Sequence, residues 1–112
     1  MSESMEKRLL PPGWRWVKLG EVCEISIGRT PSRSSPYYWH GTLPWVSISD
    51  LKVDVVERTA ESITSQAVKE CKCKIVKEGS LLFSFKLTIG KMAFAGCDLY
   101  TNEAIAALTP FS

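Results

Sequence analysis

The sequence predicts a small, β-rich α+β domain, and three observations carry that expectation. Short runs of β-branched and aromatic residues are separated by turns rich in Gly, Pro and Ser. Only one segment, residues 63–69, carries a clear helix-start signal. No rhythm of strands with helices of about 10–15 residues appears, which disfavours a parallel nucleotide-binding sheet. At 112 residues the chain is one domain or less, with 45% hydrophobic residues to form an adequate but not generous core.

Taken in order, residues 1–10 are polar up to Leu9 and Leu10, and the prolines at 11 and 12 stop any helix, so a flexible leader is expected over 1–11. Residues 14–19 alternate as a short strand with Trp14 and Trp16 on one face. Residues 20–24 suit a single helical turn with Glu21 and Glu24 near its start, and Ile25 to Ile27 read as a strand. Residues 28–43 form a loop, long for a compact domain, which two prolines and the Tyr37-Tyr38-Trp39 cluster are expected to order. A strand over 44–49 follows, with Val46 and Ile48 on one face and Trp45, Ser47 and Ser49 on the other. Thr64 is a good N-cap with Ile63 and Val68 at staple positions, so a short helix ending near Cys71 is predicted. Strands are expected at 74–77, 81–85, 92–95 and 104–108.

The net charge is only +2, so clustering matters more than total. Arg29 and Arg33, and Lys86 and Lys91, lie in segments with no acid nearby in sequence, a segregation compatible with a basic face. In residues 86–91 the lysines can neutralise phosphate, Thr88 can donate and accept, and Gly90 allows close backbone approach. The residues alone slightly favour a plainer reading, a solvated hairpin loop whose lysines keep an edge soluble. A lone Gly-Lys without a preceding glycine-rich stretch is weak support for nucleotide binding. In residues 28–33 two arginines flank hydroxyls and a rigid proline, and an anion-binding loop and an ordinary charged turn stand level. Tyr37, Tyr38, Trp39 and Trp45 could stack on bases, but packing that holds the loop to its sheet is the preferred reading.

The cysteines are Cys23, Cys71, Cys73 and Cys97, without zinc-knuckle spacing, and are expected to act as buried small hydrophobes with reduced thiols. The start of the chain has no signal-peptide pattern and no run reaches the length of a membrane span, so a cytoplasmic, non-membrane protein is expected. His40 is the only histidine and lacks an obvious nucleophile partner. Asp50 and Asp54 read as loop or cap acids, too few to hold a metal. No catalytic, metal or cofactor residue is assigned.

The order of short motifs resembles a known family. Gly13-Trp14, then Leu19-Gly20-Glu21-Val22, open it; Gly28-x-Thr30-Pro31, Tyr38-Trp39 with Gly41, and Pro44-Trp45 leading to Ser49-Asp50-Leu51 follow. Ile63-Thr64, Gly79-x-Leu81-Leu82, Thr88-Ile89-Gly90-Lys91 and Asn102-Glu103-Ala104-Ile105 complete the set across residues 12–110. Together they are similar to the target recognition domain of the specificity (S) subunit of type I restriction-modification systems. The resemblance implies an α+β fold with a curled, β-rich body and short helices, DNA methylase specificity domain-like. It implies a non-catalytic subunit that reads double-stranded DNA. Other subunits do the chemistry: a modification subunit methylates adenine with S-adenosylmethionine, and a restriction subunit cleaves DNA using ATP. In that family a long helix follows each of two recognition domains, so a chain ending at Ser112 is expected to be a truncated domain over 12–112. Glu103 stands where the family more often has Gln.

The resemblance makes Gly28, Thr30, Pro31, Trp39, Gly90 and Asn102 residues that shape the site. Arg29, Arg33, Ser47, Lys86, Thr88 and Lys91 are the expected base or phosphate contacts. The alternative is a self-associating or assembly module without DNA binding of its own. A thiol enzyme using Cys71 or Cys97 with His40 ranks third.

Overall fold

The computed structural model describes residues 23–86 and 89–110. The expected leader, the strand at 14–19 and Thr88 lie outside the described residues. Among the described residues eight strands form two sheets. β1 (Cys23–Ile27), β5 (Leu81–Ser84), β6 (Met92–Ala95), β8 (Ile105–Pro110) and β3 (Val55–Val56) make a five-stranded sheet in the order β1-β8-β5-β6-β3. Its pairings are antiparallel except for β3 on β6. β2 (Trp39–Val46), β4 (Glu61–Ile63) and β7 (Tyr100–Thr101) make a three-stranded sheet in the order β4-β2-β7, with β7 parallel to β2. The expected β-rich α+β class holds.

The helix α1 (Ser65–Cys71) forms where its capping signal places it. The Ala67 N–H donates to the Thr64 hydroxyl at 3.1 Å, and Ile63 and Val68 share one apolar cluster. Lys72 closes it in a left-handed conformation, φ 55°.

Several boundaries differ from the sequence reading. Cys23 and Glu24 already belong to β1, because they pair with Pro110 and Thr109 rather than turning. The loop ends at Tyr38, not Leu43: β2 starts at Trp39 and absorbs a register slip, with both Trp39 and Leu43 opposite Ile63. A bulge there lets His40 take φ 62°. β2 stops at Val46, and residues 48–50 make a 3₁₀ turn with Ser47 as its N-cap, the Ser47 N–H donating to the Asp50 carboxylate at 2.9 Å. Residues 74–77 form no strand, only a bridge between Val76 and Leu99, since the chain after Leu99 turns away to pair with β2. β5 gives up Phe85, while β8 is shifted to Ile105–Pro110.

Two apolar clusters result. Leu82, Ala93, Ala95, Ile105 and Ala107 point from the inner face of the large sheet onto Val46, Leu51 and Leu99. Trp39, Trp45, Ile63, Ala67 and Tyr100 pack between the small sheet and α1. The outer face of the large sheet is also apolar: the register aligns Ile25, Leu108, Leu81, Phe94 and Val55 in one row across all five strands. Among the described residues no helix is long and apolar enough to cross a membrane.

Candidate functional site

Strand register gathers the predicted loops at one end of the large sheet. Ile27 ends β1 opposite Ala106, and Ser84 ends β5 opposite Ile105. The loop 28–38 and the hairpin 85–91 therefore leave the sheet on either side of the turn that enters β8. That turn is held by Asn102, whose side-chain oxygen accepts from the Ala104 N–H at 2.9 Å.

The loop after β1 is pinned by its backbone. The Arg29 N–H donates to the Thr101 carbonyl at 3.0 Å. A Cβ on Gly28 would lie 2.0 Å from the Thr101 carbonyl oxygen, so only glycine permits this approach. Pro31 is fully buried. The indole N–H of Trp45 donates to the Arg29 carbonyl at 3.1 Å, and that of Trp39 to the Ser32 carbonyl at 3.0 Å. The two rings meet edge to face, centroids 5.0 Å apart. Trp39 and Trp45 thus hold the loop to the sheet, as the packing reading anticipates. Tyr38 is half-buried and donates to Glu70 at 3.0 Å; that carboxylate raises its phenol pKa. Tyr37 departs from the packing reading: it is 68% exposed.

Of the expected contact residues, Arg29, Lys86 and Lys91 carry exposed side chains. The hairpin beneath the lysines closes on Ser84, whose hydroxyl accepts from the Lys91 N–H at 2.9 Å, and Gly90 makes the turn at φ 95°. Arg33 is engaged differently. Its guanidinium stands 4.4 Å from the Trp39 centroid and 5.1 Å from that of Trp45, and it is ion-paired with Glu61. An exposed pair of this kind is worth about 0–1 kcal/mol, so its effect is to fix the direction of the guanidinium. Ser47 sits in a structural bond set, its hydroxyl 3.3 Å from Asp50 and 3.0 Å from that of Ser49. A cleft of about 390 Å³ opens beside Arg33, lined also by Pro36, Trp39, His40 and Glu61.

Glu70 lines a groove with Arg29, Thr30 and Glu103, and sequence reasoning missed two further acid contacts at this end, those of Glu61 and Glu103. The Thr30 hydroxyl donates to the Glu103 carboxylate, tying the first loop to the turn before β8. That hydrogen bond is the largest cause holding the Glu103 carboxyl below its ordinary range; its own backbone N–H, Lys86 and Arg33 act in the same direction. The partners lie 28 and 73 positions away, and no local pattern signals either contact.

The cysteines only partly follow expectation. Cys23 is buried, whereas Cys71, Cys73 and Cys97 are half-buried. Burial pushes the Cys73 and Cys97 thiols up, away from nucleophilic character. Cys71 lines a groove with Gly28, Arg29 and Glu103, apart from the cleft that holds His40. Among the described residues no group of three metal-ligating side chains occurs.

The fold and this end define an α+β domain of two mixed sheets that presents indole-pinned, cation-bearing loops beside one turn. The chain belongs to the type I restriction modification DNA specificity domain family, whose model matches residues 11–112. It is 33% identical over 104 residues to the type I restriction enzyme MjaIX specificity subunit of Methanocaldococcus jannaschii, a match covering 90% of this chain and 24% of that protein. The crystal structure of the HsdS subunit from Thermoanaerobacter tengcongensis matches with a TM-score of 0.65 and 31% identity, over 90% of this chain and 24% of that one. A chain from work on complex assembly and conformational transition of the type I R-M system gives 0.67 and 30%, with the same coverage. This chain therefore spans about a quarter of the length of the relatives it matches.

Proposed function

We propose that this chain is a DNA-reading module of a type I specificity subunit, part of a target recognition domain that docks double-stranded DNA on the end of its large sheet. The observation that carries the reading is the register that sets the 28–38 loop and the 85–91 hairpin around one turn, with Arg29, Lys86 and Lys91 exposed there. Cations on rigid loops position a phosphate backbone, and arginine forks read base edges. In this reading Arg29, Lys86, Thr88 and Lys91 contact DNA, and Arg33 is aimed by Trp39, Trp45 and Glu61. Ser47 contributes through the 3₁₀ turn it caps. Gly28, Thr30, Pro31, Trp39, Gly90 and Asn102 shape the surface. The module performs no catalysis itself; modification and restriction subunits, assembled with it in the cytoplasm, methylate and cleave.

Fluorescence anisotropy with duplex DNA tests this. Binding is expected to weaken steeply with salt, because each phosphate contact releases counterions. A folded protein that binds no duplex even at low salt would remove the reading. A second reading, self-association, is favoured by one observation: the apolar outer face of the large sheet.

A further inference from the structure

An antiparallel sheet with one solvated face alternates apolar and polar residues, and the large sheet breaks that rule. Beside the row through Leu81 runs a second, Ile27, Ala106, Phe83 and Met92. No charged residue interrupts either row. Ile25, Ile27, Val55, Met92 and Phe94 are each 46–55% exposed, a long way from the burial such side chains reach inside a protein. With about 150–250 Å² for a large side chain, the patch exposes on the order of 500 Å² per copy, at the upper end for a monomer surface. A pair of such faces buries on the order of 1,000 Å², where specific interfaces begin.

We infer that this face is the interface between two copies of the chain, packed sheet on sheet about a two-fold axis running along β5. The inference rests on the self-association reading and not on DNA binding. β5 is the central strand, so that axis sets β8 of one copy over β6 of its partner and β1 over β3, and keeps each row facing itself. Ala106, the smallest side chain of the face, then lies opposite Met92, a long and adaptable one. Phe83 meets its own counterpart at the axis, and Ile25 lies over Val55. Sheets stack about 10 Å apart with side chains interleaved, a fit that large-against-small pairing serves.

Sedimentation velocity over a concentration series of the chain is the test. A reversible dimer is expected. Phe94→Lys and Met92→Lys, at exposed positions where the fold tolerates charge, should each raise the dissociation constant more than about tenfold with unchanged circular dichroism, because each buries an unpaired ammonium. Ile75→Lys, at an exposed position outside the strands of the large sheet, should leave it unchanged. A monomer at every concentration overturns the proposal and leaves the face to another protein segment. A dimer that both face variants preserve overturns it too, by placing the interface elsewhere. Anisotropy on the Phe94→Lys monomer separates the readings: loss of the dimer with retained DNA binding leaves DNA recognition standing, and a dimer that binds no DNA removes only the latter.

Discussion

The Thr30 hydroxyl donates to the carboxylate of Glu103, 73 positions later in sequence. One bond thereby couples the loop that follows β1 to the turn that opens β8, and it plants a negative charge that feels both Arg33 of one loop and Lys86 of the other. If this end docks DNA as proposed, the carboxylate adds rigidity to the surface and subtracts from its attraction for phosphates.

Glu103→Gln separates those effects. The amide can still accept from Thr30 but carries no charge, so low-salt affinity for duplex DNA should rise about three- to tenfold, with the gain shrinking as salt screens it. The folded-state pKa of Glu103 is lowered, so its charge-dependent stabilisation is complete above the ordinary glutamate range and is lost as pH falls through the lowered value. The side chain is largely in solvent, which holds this term below about 1 kcal/mol. Urea midpoints of the two proteins should therefore converge as the solution is acidified; a gap that widens toward acid pH would contradict the assignment.

Gly28→Ala should be the costlier of two glycine substitutions. Its Cβ would meet the Thr101 carbonyl oxygen, Thr101 Oγ1 and the Asn102 carbonyl oxygen, all within 2.4 Å, so backbone must move, at about 2–4 kcal/mol. At Gly90 a Cβ meets nothing within 4 Å, leaving only the left-handed conformation, φ 95°, to strain, at about 1–2 kcal/mol. Denaturation midpoints that rank the two the other way would overturn the close-approach argument.

Trp45→Phe keeps a ring in the second cluster but removes the donor to the Arg29 carbonyl. A loss of about 1–2 kcal/mol in unfolding free energy is expected, from the hydrogen bond and the smaller ring together. Limited proteolysis should then cut within 28–38 sooner than in the parent protein. Unchanged cleavage would mean that the loop is held by its other anchors.

What the sequence disclosed follows the range of the forces involved. Thr64 and its helix were legible because a cap and a staple act within five residues. The strand at Val55–Val56 was not, because its two residues pair in parallel with Phe94 and Ala95, far along the chain. Tyr100–Thr101 escaped for the same reason, pairing in parallel with Trp45 and Val46. The site showed the same divide. Basic, glycine-hinged loops announce themselves locally, and the buried indoles at 39 and 45 were anticipated as packing. The segregated charge pattern broke down in three dimensions, since Glu61 reaches Arg33 and Glu103 reaches Thr30 only after the sheets assemble.

Lys91→Ala and Arg33→Ala distinguish positioning from reading. Lys91 is exposed on the hairpin, its backbone fixed through Ser84, and among the described residues no ring packs on its ammonium. As a phosphate contact it should lower affinity for every duplex alike and reduce the salt slope by about one. Arg33 is held over two indoles and by Glu61, so its guanidinium points one way before DNA arrives, the condition for reading a particular base edge. Its removal should flatten the preference among duplexes, by about 1–3 kcal/mol at one base pair, more than it lowers binding overall. Because that ion pair is exposed, the folded state should survive the change, which circular dichroism checks. Equal losses on every duplex for both variants would reduce Arg33 to another phosphate anchor and move base reading to other side chains of the same end.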